Sequence, residues 1–262
     1  MRNIKLTIEY DGTDFNGWQT QTARKEKSTP ATHNVHRTIQ GEIEKALKKI
    51  FKQGLKLTGS GRTDSGVHAL GQVASFKTRS SMPAGEMQNA LNANLPDDIA
   101  IIKVEEAPSD FHAQYSVKSK TYRYTILNRN MPCAQQRNFC LLYPYKLNIR
   151  AMREETKSLV GHHDFKSFTA SDPAKRKKGV KENTVRTIKR LTITKKGDFL
   201  TLDIEANGFL YKMVRNIVGT LLAVGSGKLA KGSIKQILAK KDRNTAGITA
   251  KPKGLALLEV KY

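Results

Sequence analysis

The chain contains little cysteine and lacks the usual spacing of metal ligands. Its 262 residues include 2 cysteines, Cys133 and Cys140, which are too few for a disulfide framework and fit no common zinc-site spacing. The 6 histidines are scattered apart from the pair His162-His163, and none forms a His-x-x-x-His pattern. We therefore expect no bound metal and a reducing compartment, the cytoplasm.

Long apolar runs and acidic residues are also scarce. No segment approaches the roughly 18 apolar residues of a membrane-spanning helix, and we find neither a signal-peptide apolar region nor a lipidation motif. The 23 acidic residues face 46 lysines and arginines, a formal net charge of +23. Compositional bias of the source organism would explain charge that is spread evenly, but it explains clusters less well. The excess indicates a polyanionic partner and favours nucleic acid over a membrane surface.

The first half of the chain has the element order of a small α+β domain. Alternating apolar residues predict a strand over 3–10, and apolar residues at helical spacing predict a helix over 38–51. Four further elements follow: a short strand near 55–58, a strand near 72–77, a helix over 84–94 and a strand over 99–104. The order β-α-β-β-α-β is that of antiparallel ferredoxin-like units.

The second half offers the same order. Its predicted elements are a strand over 121–127, a helix over about 149–160, a hairpin of 185–194 with 199–206, helices over 212–224 and near 233–240, and a strand over 255–261. We predict an α+β fold of two ferredoxin-like domains, over 1–110 and 111–262, with mainly antiparallel sheets and an active-site cleft between them. This duplication rests on element order, because the two halves share negligible sequence similarity.

A glycine-rich loop is the most informative stretch. Residues 59–72 run Gly-Ser-Gly-Arg-Thr-Asp-Ser-Gly-Val-His-Ala-Leu-Gly-Gln and place Asp64 two positions after Arg62. Glycine lets the backbone adopt strained conformations and pass close to a ligand, and a carboxylate beside an arginine suits a nucleophile or a general base. Spacing alone favours an ordinary turn in which Asp64 caps the backbone and Arg62 faces water.

The whole run resembles the catalytic loop of the tRNA pseudouridine synthase A family, whose signature is Gly-x-Gly-Arg-Thr-Asp-x-Gly-Val-His-Ala. A match of this length is far more specific than a single Gly-x-Gly. The resemblance implies that Asp64 is the nucleophile and that Arg62 assists extrusion of the target base.

A tyrosine-containing strand carries a second match. The segment Lys-Thr-Tyr-Arg-Tyr over 120–124 is similar to the family's Lys-x-Tyr-Arg-Tyr motif, whose first tyrosine stacks on the target uracil. The resemblance assigns that stacking role to Tyr122. Since Tyr122 and Tyr124 face the same side of a strand, core packing by both is the alternative that the pattern alone slightly favours.

An arginine in an apolar helix carries the third match. The segment Gly-Phe-Leu-Tyr-Lys-Met-Val-Arg-Asn-Ile-Val-Gly over 208–219 places Arg215 in a turn of buried-looking residues. A half-buried cation needs a partner, and a local ion pair or a snorkelling side chain would satisfy it. The resemblance implies instead that Arg215 pairs with Asp64 and keeps the carboxylate ionised.

Weaker matches extend the resemblance over nearly the whole chain. The segment over 250–255 resembles the family's Ala-Pro-x-x-Gly-Leu, with Lys251 in place of its proline, and it implies that Leu255 lines the uracil pocket. Other matches cover 10–19, 35–41, 161–165 and 185–188.

Two polar, basic stretches lack periodicity. The first covers 22–36 and is longer than the family usually carries, so no role is assigned to it. The second covers 171–183 and contains Lys175, Arg176, Lys177 and Lys178. Such runs are usually solvated loops, but in a chain of this charge these four residues are also candidate phosphate contacts.

The sequence therefore predicts an enzyme that isomerises uridine to pseudouridine at positions 38, 39 and 40 of the tRNA anticodon stem-loop. It contains no Walker loop and no dinucleotide fingerprint, and we expect no cofactor. The resemblance also implies a homodimer. Two alternatives stay open: a pseudouridine synthase with another RNA site, and a non-catalytic basic RNA-binding protein.

Overall fold

The chain forms two compact units. The computed structural model describes residues 1–20, 37–170 and 183–262. Unit 1 consists of Met1–Val117 together with Leu257–Tyr262, and unit 2 consists of Lys118–Ala256.

The sheet of unit 1 is built around its first strand. Strand β1 (Arg2–Tyr10) pairs antiparallel with both β3 (His68–Thr78) and β4 (Ile99–Ala107). The short β2 (Thr58–Gly59) pairs with β3, whose other neighbour is the last strand of the chain, β10 (Leu255–Lys261). The apolar residues of β1 alternate as the sequence predicts and are fully buried, which places the core of unit 1 on that face.

Two helices cover the core of unit 1. Helix α1 (Ile39–Phe51) begins after Thr38, whose hydroxyl accepts a hydrogen bond from the backbone of Gly41 at 3.2 Å. Its buried residues recur at helical spacing, so that one stripe faces the core. Helix α2 (Ala84–Asn92) contacts β4 and α1.

Unit 2 contains its own run of antiparallel strands. Strands β5 (Ser119–Leu127), β9 (Phe199–Ala206), β8 (Val185–Lys196) and β7 (Gly161–Asp164) are neighbours in that order. The two-residue β6 (Leu141–Leu142) runs parallel to the end of β5. The turn of the β8–β9 hairpin contains Gly197 at φ 57°, a conformation that glycine adopts without strain.

The helices of unit 2 are α3 (Ile149–Thr156), α4 (Met213–Gly225) and α5 (Ser233–Lys240). Nearly all residues of α4 are buried, which makes it the centre of the core. At Gly225 an added Cβ would lie 2.6 Å from the Met152 sulfur, so α3 and α4 pack closely. The buried Glu155 carboxylate accepts hydrogen bonds from the backbone of Gly232 and Ile234 at the start of α5.

The fold is therefore mixed α+β with mainly antiparallel pairing, as predicted at that level. Every predicted strand and helix is present, but some bounds differ, and β6 and β7 were not predicted. Strand β3 begins at His68 rather than near 72. Its first residues show no apolar–polar alternation, and the apolar Leu70 among them is exposed. The third helix ends at Thr156 rather than at 160, because the backbone over 157–159 makes hydrogen bonds to the third residue before it instead of the fourth. Within the described ranges, no helix is both long and apolar enough to cross a membrane.

Candidate active site

The Asp64 loop joins the paired strands β2 and β3 in unit 1. Thr58 and Gly59 lie opposite Ser75 and Ala74, so the loop begins and returns at a fixed register. Asp64 is half-buried at its tip and Arg62 is exposed. The carboxylate therefore lies on a loop whose two ends are held together by the β2–β3 pairing.

A buried glutamine holds the first half of this loop. The Gln72 side chain, 0% exposed, accepts a hydrogen bond from the Ser60 hydroxyl at 2.6 Å and donates one to the Gly61 carbonyl at 3.1 Å. Its carbonyl oxygen also accepts from the backbone of Val73 at 3.1 Å. The amide therefore satisfies loop groups that the β2–β3 pairing does not reach.

A buried tyrosine holds the residue before Asp64. The Tyr10 hydroxyl lies 2.8 Å from the Thr63 hydroxyl, and both are buried. Burial raises the pKa of Tyr10 to about 12, so the phenol stays neutral and able to donate over a wider range of alkaline pH than an exposed tyrosine.

The segment between β1 and α1 lies against both sides of Asp64. The Trp18 backbone donates to the Thr63 carbonyl at 3.1 Å, and the Gly66 backbone donates to the Phe15 carbonyl at 3.3 Å. The Ser65 hydroxyl adds a hydrogen bond to the same Phe15 carbonyl at 3.0 Å. The chain is therefore held immediately before and immediately after the carboxylate.

Glycine is required where these two segments meet. Gly17 has φ +86°, and a Cβ there would lie 2.6 Å from the Thr63 carbonyl oxygen. The carbonyls of Gly17 and Trp18 in turn accept from Ile39 and Gln40 at the N-terminus of α1, at 3.2 and 2.9 Å. The Asp64 loop thus rests on a segment that is itself anchored to a helix.

In unit 2, Tyr122 lies on β5 with its side chain mostly buried. It is 9% exposed, and the Phe209 ring meets it edge-on at a centroid distance of 5.0 Å. Tyr124, on the same face, is 0% exposed, and its hydroxyl donates to the Lys251 carbonyl at 2.7 Å. Tyr124 is therefore a core residue that holds a loop, whereas Tyr122 keeps a small exposed surface.

Lys120 lies two positions before Tyr122 and so points to the same face of β5. Burial lowers its pKa to about 8. No role was predicted for this residue. The sequence pattern that could have identified it is a lysine at the same alternate positions of the strand as Tyr122 and Tyr124.

Arg215 occupies the first turn of α4 and is half-buried. Its Nε donates to the Ala250 carbonyl at 2.7 Å, and the Ala250 backbone donates to the Arg215 carbonyl at 3.1 Å. Burial raises the pKa of Tyr124, and the positive charge of Arg215 partly offsets this effect. The guanidinium therefore lies within electrostatic reach of β5.

Leu255 is buried at the start of β10, directly after the 3-10 turn Pro252–Gly254. A Cβ at Gly254 would lie 2.8 Å from the Tyr124 ring, so this turn packs closely on β5. Within unit 2, the segment over 250–255 thus contacts both Arg215 and Tyr124.

The structure places the predicted residues in two groups. Asp64 and Arg62 belong to unit 1, whereas Tyr122, Arg215 and Leu255 belong to unit 2. The predicted phosphate contacts Lys175, Arg176, Lys177 and Lys178 lie outside the described residues, as does the segment 22–36.

The described ranges contain no group of three or more histidine, cysteine, aspartate or glutamate side chains that could hold a metal ion. Cys133 and Cys140 are free thiols. The chemistry available is that of a fixed carboxylate, a fixed guanidinium and an aromatic side chain. Sequence analysis did not identify the supports Ser60, Gln72 and Tyr10, although a glutamine inside an apolar strand was a usable signal.

Comparison with known proteins gives consistent matches. The sequence model of a family described as tRNA pseudouridine synthase matches residues 6–116 and 156–262. The chain is 45% identical over 262 residues to tRNA pseudouridine synthase A of Thermoanaerobacter sp. (strain X514), and 46% identical over 262 residues to tRNA pseudouridine synthase A 2 of Clostridium perfringens (strain 13 / Type A). Both alignments cover 100% of each chain.

One solved structure, titled Crystal Structure of a Cbf5-Nop10-Gar1 Complex, matches with a TM-score of 0.35 and 12% identity. The match covers 84% of this chain and 44% of that one. A likeness of this size supports no conclusion about the fold.

Because the Tyr10 hydroxyl is buried, the stability of the folded protein is expected to decrease with pH in the alkaline range. Its pKa is about 12 in the folded chain and about 10 in an unfolded one. The folded state therefore favours the neutral phenol, and the resulting stability is complete below pH 10 and lost as the pH rises toward 12. We expect the difference in free energy of unfolding between the wild type and Tyr10→Phe to fall by up to about 1.4 kcal/mol per pH unit in this window.

Urea denaturation at several pH values measures this difference. Thr63→Val is the matched control, because it removes the hydroxyl partner and leaves the titrating group in place. A difference between wild type and Tyr10→Phe that does not change with pH would contradict the expectation.

Proposed function

Because the chain belongs to the tRNA pseudouridine synthase family and is an isomerase that acts on tRNA, we propose that it converts uridine to pseudouridine at positions 38, 39 and 40 of the anticodon stem-loop. The observation that carries the proposal is the Asp64 loop. It lies within the matched residues, and its backbone is held on both sides of a half-buried carboxylate.

Asp64 is the proposed nucleophile. The reaction breaks the N1–C1′ glycosidic bond, turns the uracil and joins C5 to C1′, after which the proton on C5 leaves and N1 is protonated. A covalent intermediate with the carboxylate holds one fragment while the base turns, whether the attack is on C1′ or on the base. A nucleophile must be kept within reach of the reacting atom, and the hydrogen bonds at Thr63 and Gly66 support that role.

Arg62 is the proposed wedge for base flipping. A uridine stacked in an RNA helix cannot reach a carboxylate, so it has to swing out of the stack. Arg62 is exposed and lies two residues from Asp64, and its guanidinium is planar and can stack where the base was. This position supports a role in filling the vacated space.

Tyr122 is the proposed platform for the uracil. Phe209 meets its ring edge-on and limits its rotation, which reduces the entropy lost when a base stacks on it. Stacking of a base on an aromatic side chain contributes about 1–3 kcal/mol. Tyr122 is also the proposed relay for the proton that leaves C5, and Leu255 is the proposed apolar wall of the same pocket.

Arg215 is the proposed partner of the Asp64 carboxylate. A cation beside a carboxylate stabilises its ionised form, which is the nucleophilic one. The Ala250 carbonyl binds Nε, so the Nη groups are the ones to bind the carboxylate.

We also infer that both units are ferredoxin-like and that the protein acts as a homodimer in the cytoplasm. In unit 1 the order β1-α1-β2-β3-α2-β4 with β1 between β3 and β4 supports this inference. In unit 2, apart from the short β6 and β7, the order β5-α3-β8-β9-α4 with β9 between β5 and β8 supports it as well. The homodimer and the location rest on the family resemblance.

Replacement of Asp64 tests the nucleophile. We expect Asp64→Asn and Asp64→Ala to lower kcat at least about 10³-fold, because neither side chain can form the covalent intermediate. Affinity for tRNA should stay within a few-fold of wild type, since the carboxylate is not a phosphate contact. Tritium release from tRNA labelled at uridine C5 measures turnover, and filter binding measures affinity.

Asp110→Asn is the matched control, because Asp110 is an exposed aspartate of the same unit, and it should leave kcat unchanged. Wild-type turnover by Asp64→Ala would exclude the proposed nucleophile, whereas absence of turnover by the wild type itself would favour the non-catalytic alternative.

Mapping of the product tests the site choice. Purified protein should form pseudouridine at positions 38, 39 and 40 in an unmodified tRNA transcript that carries uridine at each, as detected by carbodiimide labelling and primer extension. A transcript with cytidine at these three positions is the control and should stay unmodified. Modification of that control transcript, with the three uridines of the first intact, would show a different site specificity.

Neutralisation of the basic segment tests its phosphate contacts. Replacing Lys175, Arg176, Lys177 and Lys178 with glutamine should weaken tRNA binding and flatten its salt dependence, since each phosphate neutralised contributes about −0.9 to the slope on duplex. Exchanging lysine for arginine and arginine for lysine at the same four positions keeps the charge and should preserve the slope. An unaltered slope in the glutamine variant would mean that these side chains do not contact the backbone of the RNA.

A further inference from the structure

A hydrogen-bond network in unit 2 is centred on the side chain of Asn216, which is fully buried. Its Oδ1 accepts from the Thr249 hydroxyl at 2.7 Å and from Nη2 of Arg243 at 3.0 Å. Its Nδ2 donates to the Phe168 carbonyl at 2.8 Å. Arg243 Nη2 also donates to the Thr249 hydroxyl at 3.1 Å, so the three side chains form a closed triangle.

The backbone around this triangle is packed without space for adjustment. A Cβ at Gly219 of α4 would lie 1.7 Å from the Ile248 carbonyl oxygen. At the next residue, the Thr220 hydroxyl accepts from the Gly247 backbone at 2.9 Å. The loop over 242–250 is therefore held against α4 by side chains and by direct backbone contact.

The network ends next to Arg215. Ala250 directly follows Thr249 in the chain, and it exchanges two hydrogen bonds with Arg215, through Nε at 2.7 Å and between the backbones at 3.1 Å. Since the guanidinium is planar, a fixed partner for Nε also fixes the direction of the Nη groups. A displaced Ala250 carbonyl would rotate the guanidinium.

We propose that Arg243, Asn216 and Thr249 are positioning residues that orient Arg215 by holding the Ala250 carbonyl in place. The inference rests on the proposed function, in which Arg215 acts on the Asp64 carboxylate. None of the three touches the reacting atoms in this scheme. They act through Arg215, and loss of the network should affect the chemical step more than substrate binding.

The alternative is that the network only stabilises the fold. Both roles predict a lower melting temperature when the network is cut. The two roles differ in what happens to the catalytic rate when Arg215 is already replaced. Cutting the network then causes no further loss if it acts through Arg215, but causes the same loss as before if it only stabilises the fold.

Thr249→Val tests the proposal, because valine keeps the shape of threonine and removes the hydroxyl. We expect kcat to fall about tenfold, which is the scale of a small misplacement of a catalytic group, with KM for tRNA within twofold. Thr249→Ser restores the hydroxyl and should restore most of kcat. Thr245→Val is the matched control, since this threonine of the same loop donates only to the Asp242 carbonyl at 2.7 Å, and it should keep wild-type kcat.

The deciding measurement is a double-mutant cycle with Arg215→Lys, read as the single-turnover rate. Arg215→Lys should be slow, and adding Thr249→Val to it should cause no further loss. A further tenfold loss in the double variant, or an unchanged kcat for Thr249→Val alone, would overturn the positioning role. An unchanged rate for Arg215→Lys alone would instead overturn the proposed role of Arg215 and, with it, this inference.

A second variant guards against a folding defect. If Thr249→Val melts below the assay temperature, Arg243→Lys takes its place in the same cycle. The Arg243 guanidinium reaches Asn216 and Thr249 through Nη2 and the Ala246 carbonyl through Nη1, and a single ammonium nitrogen cannot occupy both positions. The same three outcomes apply to it.

Discussion

The buried amide of Gln72 is the constraint on which the Asp64 loop depends. Just beyond β2 the Ser60 backbone still donates to the Val73 carbonyl of β3 at 2.7 Å, but the Ser60 hydroxyl and the Gly61 carbonyl need another partner. Gln72 reaches across from β3 to the Ser60 hydroxyl and the Gly61 carbonyl, so the loop leaves the sheet without unpaired polar groups in the core. Tyr10 and the segment over 15–18 then hold residues 63–66 by hydrogen bonds, and these bonds fix the position of the backbone that carries the Asp64 carboxylate.

Unit 2 solves a similar problem with the same kind of residue. Asn216 is also a fully buried amide, and it also fixes a segment outside the strands and α-helices, the loop over 242–250. In both cases glycine lets the segments touch, at Gly17 in unit 1 and at Gly219 in unit 2. Buried polar side chains of this kind are satisfied in one arrangement only, which gives a loop the rigidity normally found in a helix or a strand.

Sequence patterns identified the regular elements and the candidate residues, but not what holds the residues in place. The 3.6-residue stripe of α1 and the alternation in β1 were visible because each element buries one face. Strand β3 begins four residues before its predicted start, and this part was missed because it does not alternate: the apolar Leu70 is exposed there. The bonds of Gln72 to Ser60 and of Arg243 to Asn216 join residues distant in the chain, and no local spacing encodes such a pair. The role of Tyr124 as a core residue was likewise decided by its contact with Lys251, which is 127 residues away.

The return of Leu257–Tyr262 to unit 1 affects the order in which contacts form during folding. The Tyr262 ring packs on Phe111 at 4.8 Å, and its hydroxyl donates to the Ala113 carbonyl at 2.7 Å. Strand β3 likewise has β10 as its neighbour. The contact between Tyr262 and Ala113 joins residues 149 positions apart, with all of unit 2 in the chain between them. Contacts of such long sequence separation form slowly, because the entropy of closing the intervening loop is lost before they form. Unit 1 therefore includes a step that is slow relative to its local hairpins.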